Sequence, residues 1–426
     1  MIIGMSKVDI TPSMPMKLAG FDFRRGHYEK VGMPIFCRCL VFEQKIALIS
    51  LELLFIGDYL DALIRDKIAT YKELKKLNLQ LSATHSHSSM QSANNHSPRL
   101  GEFSATYCED VANKVITAIK QALLNQEIVT VNKAITSCDI AIYRRVINTK
   151  GKIEMAPNSN VEIDKSAHIF QFIRKDGTTK AILIHNHCHP TVSADNILSG
   201  EYPGVVCHQV EATYANSVCL FLQGFCGDIR PNLCRDNQFY RAHFDEIIRI
   251  GTSLASRYLK AIKTSIKIKE ESVVVYSERM VSLPLNKPQN WFELEEYKKS
   301  QAQDNIHFEW AVHQQGLLNK DAIKSNNSQQ QIKLCFLNIN NILKFIMINA
   351  EVVNHYQHYI TKNIDSSILG VGYCNGMIGY IPTQDQIIQG GYEPDLSSYY
   401  FYLPATFTQH VESCLKQALN QIIDEN

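Results

Sequence analysis

Ala83-Thr84-His85-Ser86-His87-Ser88 sets two imidazoles two positions apart among small, hydroxylated neighbours. On extended backbone such residues point the same way. A metal ion can take both rings, or take one and leave the other to bond substrate or water. A second series, His185-Asn186-His187-Cys188-His189-Pro190, repeats the alternation. Pro190 keeps His189 in a rigid extended or turn conformation. His189 then reads as a neutral imidazole ligand to Zn²⁺, with His187 as a supporting neighbour. Cys188 points the opposite way and is not counted as a ligand. The competing reading is two partly buried structural histidines and one solvated one. His96 reads as a surface loop residue.

Two histidines need an acidic partner. Glu351 follows the apolar run Phe345-Ile346-Met347-Ile348-Asn349-Ala350 and so falls where a strand ends. The alternative for Glu351 is a helix-start carboxylate near a positive dipole.

The elements that must position these groups are legible from periodicity. Residues 39–51 read as two strands around a polar turn, 59–76 as a helix, and 77–83 as a strand that delivers His85. An amphipathic helix follows through Cys108, Val111, Val115, Ala118 and Ala122. Residues 167–173 and 180–185 read as strands joined by the Asp176-Gly177 turn. A helix is predicted over 204–215, a strand over 217–223 and a helix over 243–260. Strands are predicted at 271–283, 332–338 and 343–348. Residues 291–315 read as a charged helical stretch and 404–422 as a closing helix. The fold class expected is α/β: a mixed β-sheet core with flanking helices and a metal site on loops at strand ends. One domain is expected over 1–426, with a flexible polar insertion at about 317–331.

The chain has 426 residues, 45% hydrophobic and 20% charged, with 43 Lys plus Arg against 42 Asp plus Glu. A net charge of +1 gives no reason to expect nucleic acid as a partner. No run of about twenty apolar residues is present, so no spanning helix is expected; peripheral membrane contact stays open. The 12 cysteines follow no disulfide framework. Free thiols and no visible signal peptide point to the cytoplasm, with nonclassical export as the alternative.

Four segments, in order along the chain, resemble the catalytic domain of the neutral/alkaline, non-lysosomal ceramidase family. They are Ser82–Ser88; His187–Thr191 with Leu198–Gly204; Gln223–Asn232; and Gly372–Thr383 with Gly390–Glu393. The opening Lys7-Val8-Asp9-Ile10-Thr11-Pro12 matches as well. The resemblance implies a Zn²⁺ held by His85, His189, Glu351 and Tyr380. It implies that His87 stands beside the metal and its water, that Arg144 contacts substrate, that Tyr392 holds the scissile amide and that Asp228 orders its loop.

The chain also departs from the family pattern. Arg230 stands where the family has a serine proposed to act in amide cleavage, and Ser89-Met90 replaces a Gly-Pro. An arginine is no nucleophile, but its five donors suit a carboxylate or phosphate; a structural ion pair is the other reading. The resemblance runs to the last predicted helix and does not extend to the family's C-terminal immunoglobulin-like domain. The expectation is a divergent zinc-dependent amidohydrolase acting on an N-acyl lipid or a smaller polar N-acyl compound. Alternatives are a zinc-dependent esterase and a noncatalytic metal-containing homologue.

Overall fold

Strand Thr179–Asn186 is buried along its whole length, and its side chains sort by parity. Ile182 and Ile184 enter one apolar cluster, while Ala181 and Leu183 enter another. A strand covered on both faces needs a layer on each side, and the computed structural model, which describes residues 1–269, 271–319 and 328–426, supplies both. Among the described residues the large sheet has nine strands. Its main path runs 218–223, 179–186, 166–174, 127–137, 2–9, 36–42, 46–51 and 78–83. One face packs helices Asp58–Ala69, Ala105–Leu124, Glu201–Thr213 and Phe244–Ile262. The other packs a second sheet of 274–284, 329–339, 343–348 and 368–371. The mixed sheet with flanking helices is the expected class; the second sheet across its far face is an addition.

The sheet is antiparallel in the middle and parallel at its two ends, where 46–51 pairs 78–83 and 179–186 pairs 218–223. The Ser50 hydroxyl donates to the Phe221 carbonyl at 2.6 Å, tying these ends together. The loops leaving 78–83 and 179–186 therefore meet. The His87 amide donates to the Pro190 carbonyl at 3.2 Å, joining the two histidine loops directly.

The helices form where apolar spacing and caps agree. Ala105–Leu124 starts on Ser104, whose side chain accepts from the Tyr107 amide. It buries the predicted stripe through Cys108, Val111, Val115, Ala118 and Ala122. Phe244–Ile262 crosses Glu201–Thr213 at Gly251, where a Cβ would come within 2.4 Å of Val205. The stretch read as helical over 291–315 is two helices, Trp291–Lys299 and Ile306–Asn319, because the polar segment between them supplies a stop and a fresh start. Of the proposed polar insertion at 317–331, residues 320–327 lie outside the described residues; the helix runs to Asn319 and the next strand starts at Gln329.

A buried ion network fixes the base of the His85 loop. Arg38 bonds Glu52, and its Nε donates to Glu211 Oε1 at 2.9 Å. Glu52 Oε2 accepts from the Phe36 amide at 3.0 Å, and the Glu52 carbonyl accepts the Ser89 hydroxyl at 2.6 Å. Removing one member leaves uncompensated charge in a dry environment. Arg38→Met is expected to cost about 3–5 kcal/mol, read as a lowered urea midpoint; an unchanged midpoint would contradict this role.

Candidate metal centre

His85 lies two residues beyond strand Asn78–Ala83, and His189 three beyond Thr179–Asn186. His85 has a φ of +62°, a conformation that strains a residue bearing a Cβ. Its ring lies flat on Tyr373, centroids 3.9 Å apart. The strain aims the imidazole: His85 Nδ1 bonds the Leu54 carbonyl at 2.8 Å, and His189 Nδ1 bonds the Cys226 carbonyl at 2.9 Å. A carbonyl only accepts, so each Nδ1 carries the proton and each Nε2 presents a lone pair. Those two Nε2 atoms are 2.9 Å apart.

Glu351 completes the group. Its Oε2 is 3.4 Å from both Nε2 atoms. Its amide donates to the Gly379 carbonyl at 2.8 Å, and in a short parallel ladder it faces Tyr380. Glu351 thus begins a two-residue strand rather than a helix. The Tyr373 hydroxyl, 3.5 Å from Glu351 Oε2, stands behind it.

His87 closes the cluster, its Nε2 3.2 Å from that of His85. Its Nδ1 is buried under Gly20 without a partner among the described residues. A Cβ on Gly20 would sit 2.2 Å from that nitrogen, and Gly20 has a φ of +93°, so only glycine fits. His85, His87 and His189 can hold one metal ion between them. Burial, then the neighbouring rings, push His87 well below the ordinary imidazole range. It therefore stays neutral and able to donate a lone pair.

His87 and His189 open into a cavity of about 190 Å³ whose wall also carries Arg144, Tyr380, Tyr392 and Arg230. Arg144 Nε donates to Glu393 Oε1 at 2.8 Å and its Nη2 to the Tyr380 hydroxyl at 3.3 Å. Arg145 bonds the other oxygen of the same carboxylate. The Tyr380 and Tyr392 rings meet edge to face at 5.5 Å. Burial, then Glu351, push the Tyr380 phenol well above its usual range.

Asp228 is turned away from this cavity. Its Oδ1 accepts the Asn354 amide and its Oδ2 the Gln386 side chain, both at 2.8 Å, tying its loop to the starts of helices His355–Asn363 and Gln384–Gln389. His187 also faces away, toward the Phe225 carbonyl at 3.3 Å. His185, His187 and His189 are all buried, so none is the solvated member of the series. His96 is not a surface residue: it packs between Phe55 and Phe401 and bonds the Met377 carbonyl at 3.0 Å.

Arg241, Glu393 and Phe21 also shape the site, and none was singled out from the sequence. Phe21 and Arg241 sit in undistinguished local contexts, and Glu393, at the end of a segment of the resemblance, carried no role; all three reach the site through tertiary structure. Tyr373 lay inside a segment of the resemblance, but no spacing rule marks a tyrosine stacked on a histidine so distant in the chain.

Fold and cluster together define an α/β protein with a buried metal-competent site on loops at strand ends. No family model matches the chain, and no curated protein matches it. Its fold is similar to that of neutral ceramidase from Pseudomonas aeruginosa, with a TM-score of 0.74 over 99% of this chain and 75% of that one, at 13% identity. A structure described as ceramidase complexed with C2 gives 0.71 over 98% and 73%, also at 13% identity. At that identity the likeness is one of fold. No described helix is long and apolar enough to cross a membrane.

Several of the histidines outside the cluster are buried and neutral. Burial lowers His96 and His168 to about 4, and holds His185 well below its ordinary value. The unfolded chain takes up the His96 and His168 protons near pH 6.5, the folded chain only near pH 4. For these imidazoles the unfolded state binds more protons in that window, and their contribution to stability falls as pH drops through it, against a smaller opposing one from Glu201, which burial raises to about 7. Melting temperature, measured with chelator present, is expected to decline from pH 6.5 to 4; a flat profile would contradict the burial of neutral imidazoles.

Proposed function

We propose that this protein is a zinc-dependent hydrolase of amide bonds. The observation that carries the reading is the pair of Nε2 lone pairs from His85 and His189, 2.9 Å apart, with Glu351 Oε2 3.4 Å from each. Two acceptors and a carboxylate in van der Waals contact repel one another unless a cation lies among them. Imidazole nitrogens and one carboxylate oxygen are a donor set that suits Zn²⁺. His85, His189 and Glu351 are the residues that would hold it, and Tyr380, opposite Glu351 in the ladder, would be the fourth. When bound, Zn²⁺ supplies Lewis acidity that polarises a carbonyl and lowers the pKa of water to roughly 7.

The remaining groups are assigned from their positions on the cavity wall. His87 lines the cavity with its Nε2 3.2 Å from that of His85, where it would act as the base or as the group that orients the attacking water. Arg144, gripped by Glu393, presents fixed positive charge where negative charge develops on the carbonyl oxygen. Tyr392, beside it, orients the amide. The structural likeness to two ceramidases supports N-acyl compounds as the substrate class. A lipid or a smaller polar compound is the choice within that class.

The test pairs zinc calorimetry with release of amine or fatty acid from a panel of N-acyl compounds, ceramide and esters included. His189→Ala and Glu351→Gln are expected to lose both bound zinc and turnover. His87→Ala is expected to keep one zinc per chain and to lose about 10²–10⁴-fold in kcat. Absence of metal-dependent turnover anywhere in the panel would sink the enzyme reading, and turnover of esters alone would reassign it.

A further inference from the structure

Buried arginines are normally matched to carboxylates, because a guanidinium loses its hydration on burial. Arg144 follows that rule through Glu393. Arg230 does not. It is 4% exposed, and its Nε and Nη2 have no hydrogen-bond partner among the described residues. Its Nη1 reaches only the Met155 sulfur at 3.8 Å, a weak acceptor. Its guanidinium lies 4.3 Å from the Phe239 ring centre, which holds the plane but supplies no counter-charge.

Arg241, half-buried, shares part of this condition on the same cavity. Its Nη1 is buried without a partner among the described residues, and its guanidinium lies 4.0 Å from the Phe21 ring centre. Thr191, also on the wall, has a buried hydroxyl with no partner among the described residues. The one acid on this wall, Asp22, is already engaged by Arg99 at 3.2 Å and by the Tyr400 hydroxyl at 2.9 Å. Among the described residues no ion pair reaches Arg230 or Arg241. Burial, then Arg241 and Arg144, lower Arg230 to about 9; burial, then Arg144, lower Arg241 to about 10, against a smaller opposing pull from Glu201. Both remain charged at neutral pH.

We infer that Arg230, Arg241 and Thr191 form an oxyanion subsite beside the metal centre, so that the substrate is a small N-acyl compound carrying a carboxylate or phosphate group. The inference rests on the hydrolase reading for the N-acyl part, and on the unmatched donors alone for the anion. A planar fork with two adjacent N–H groups fits either oxyanion in a paired fashion. The aromatic stacking fixes both forks in advance, so little is lost in ordering them when the anion arrives. A cavity of about 190 Å³, below the ~300–1,000 Å³ usual for drug-sized ligands, favours a compact polar substrate over a two-chain lipid. The same two arginines would disfavour an uncharged acyl chain by leaving their donors dry and unpaired.

Binding separates this inference from turnover. The zinc-loaded protein is titrated with 4-oxopentanoate, a ketone that mimics an N-acylglycine and has no amide to cleave, and with its neutral amide, 4-oxopentanamide. Inorganic phosphate is titrated alone. The expected result is at least a tenfold preference for the charged ketone over the neutral one, or tight phosphate binding. Arg230→Gln and Arg241→Gln should each remove most of that preference and leave 4-oxopentanamide within twofold. Arg235→Gln, exposed and outside the cavity, should change nothing. Tighter 4-oxopentanoate assigns a carboxylate, and tighter phosphate assigns a phosphate. Melting temperatures of the two cavity variants should equal or exceed that of the parent, because the removed charges lack partners. Equal affinity for charged and neutral ketone with no phosphate binding, or a preference that survives both substitutions, would overturn the subsite. Failure of the hydrolysis panel with the anion preference intact would overturn the hydrolase reading instead.

Discussion

Two imidazole nitrogens held 2.9 Å apart with lone pairs facing one another are the constraint on which the site depends. Left alone, that arrangement would relax, because nothing bonds the two acceptors and Glu351 adds negative charge beside them. It persists because each ring is fixed from behind by a backbone carbonyl, Leu54 for His85 and Cys226 for His189. The carbonyls belong to loops that leave neighbouring strand ends. The sheet therefore sets both the position of the rings and their tautomer. This is the structural meaning of a metal-ready site: ligands aimed and deprotonated at the facing nitrogen before any ion arrives.

The supporting layers account for the strain that this aim requires. His85 adopts a left-handed backbone conformation, and Tyr373, stacked on it, does too, with a φ of +59°. Such conformations cost of order 1–3 kcal/mol each and need surroundings that over-determine them. The Ser50–Phe221 bond, the His87–Pro190 bond and the Arg38–Glu52–Glu211 network provide that. Buried charge pairs of this kind contribute little net stability, but they fix one arrangement of loops over others.

Much of this was legible in the sequence, for identifiable reasons. Period-2 and period-3.6 patterns placed the strands around His85 and His189 and the helix through Val111 and Val115, because those elements bury one face or both. Glu351 was placed at a strand end by the apolar run before it. The reading failed where tertiary contacts override local pattern. His96 sits in a polar stretch that reads as surface, yet it fills a slot between two phenylalanines. The second sheet over the far face could not be inferred from strand patterns that do not say which layer they join. Arg230 was visible as an oddity, but its unmatched donors and its companion Arg241 appear only when the loops come together.

The central claim is that the His85–His189–Glu351 convergence binds a metal. Anomalous diffraction at the zinc edge, from crystals grown with equimolar Zn²⁺, tests it most directly. The account predicts one dominant peak within bonding distance of His85 Nε2, His189 Nε2 and a Glu351 oxygen. A peak elsewhere, or those three side chains in place with no peak among them, would contradict it.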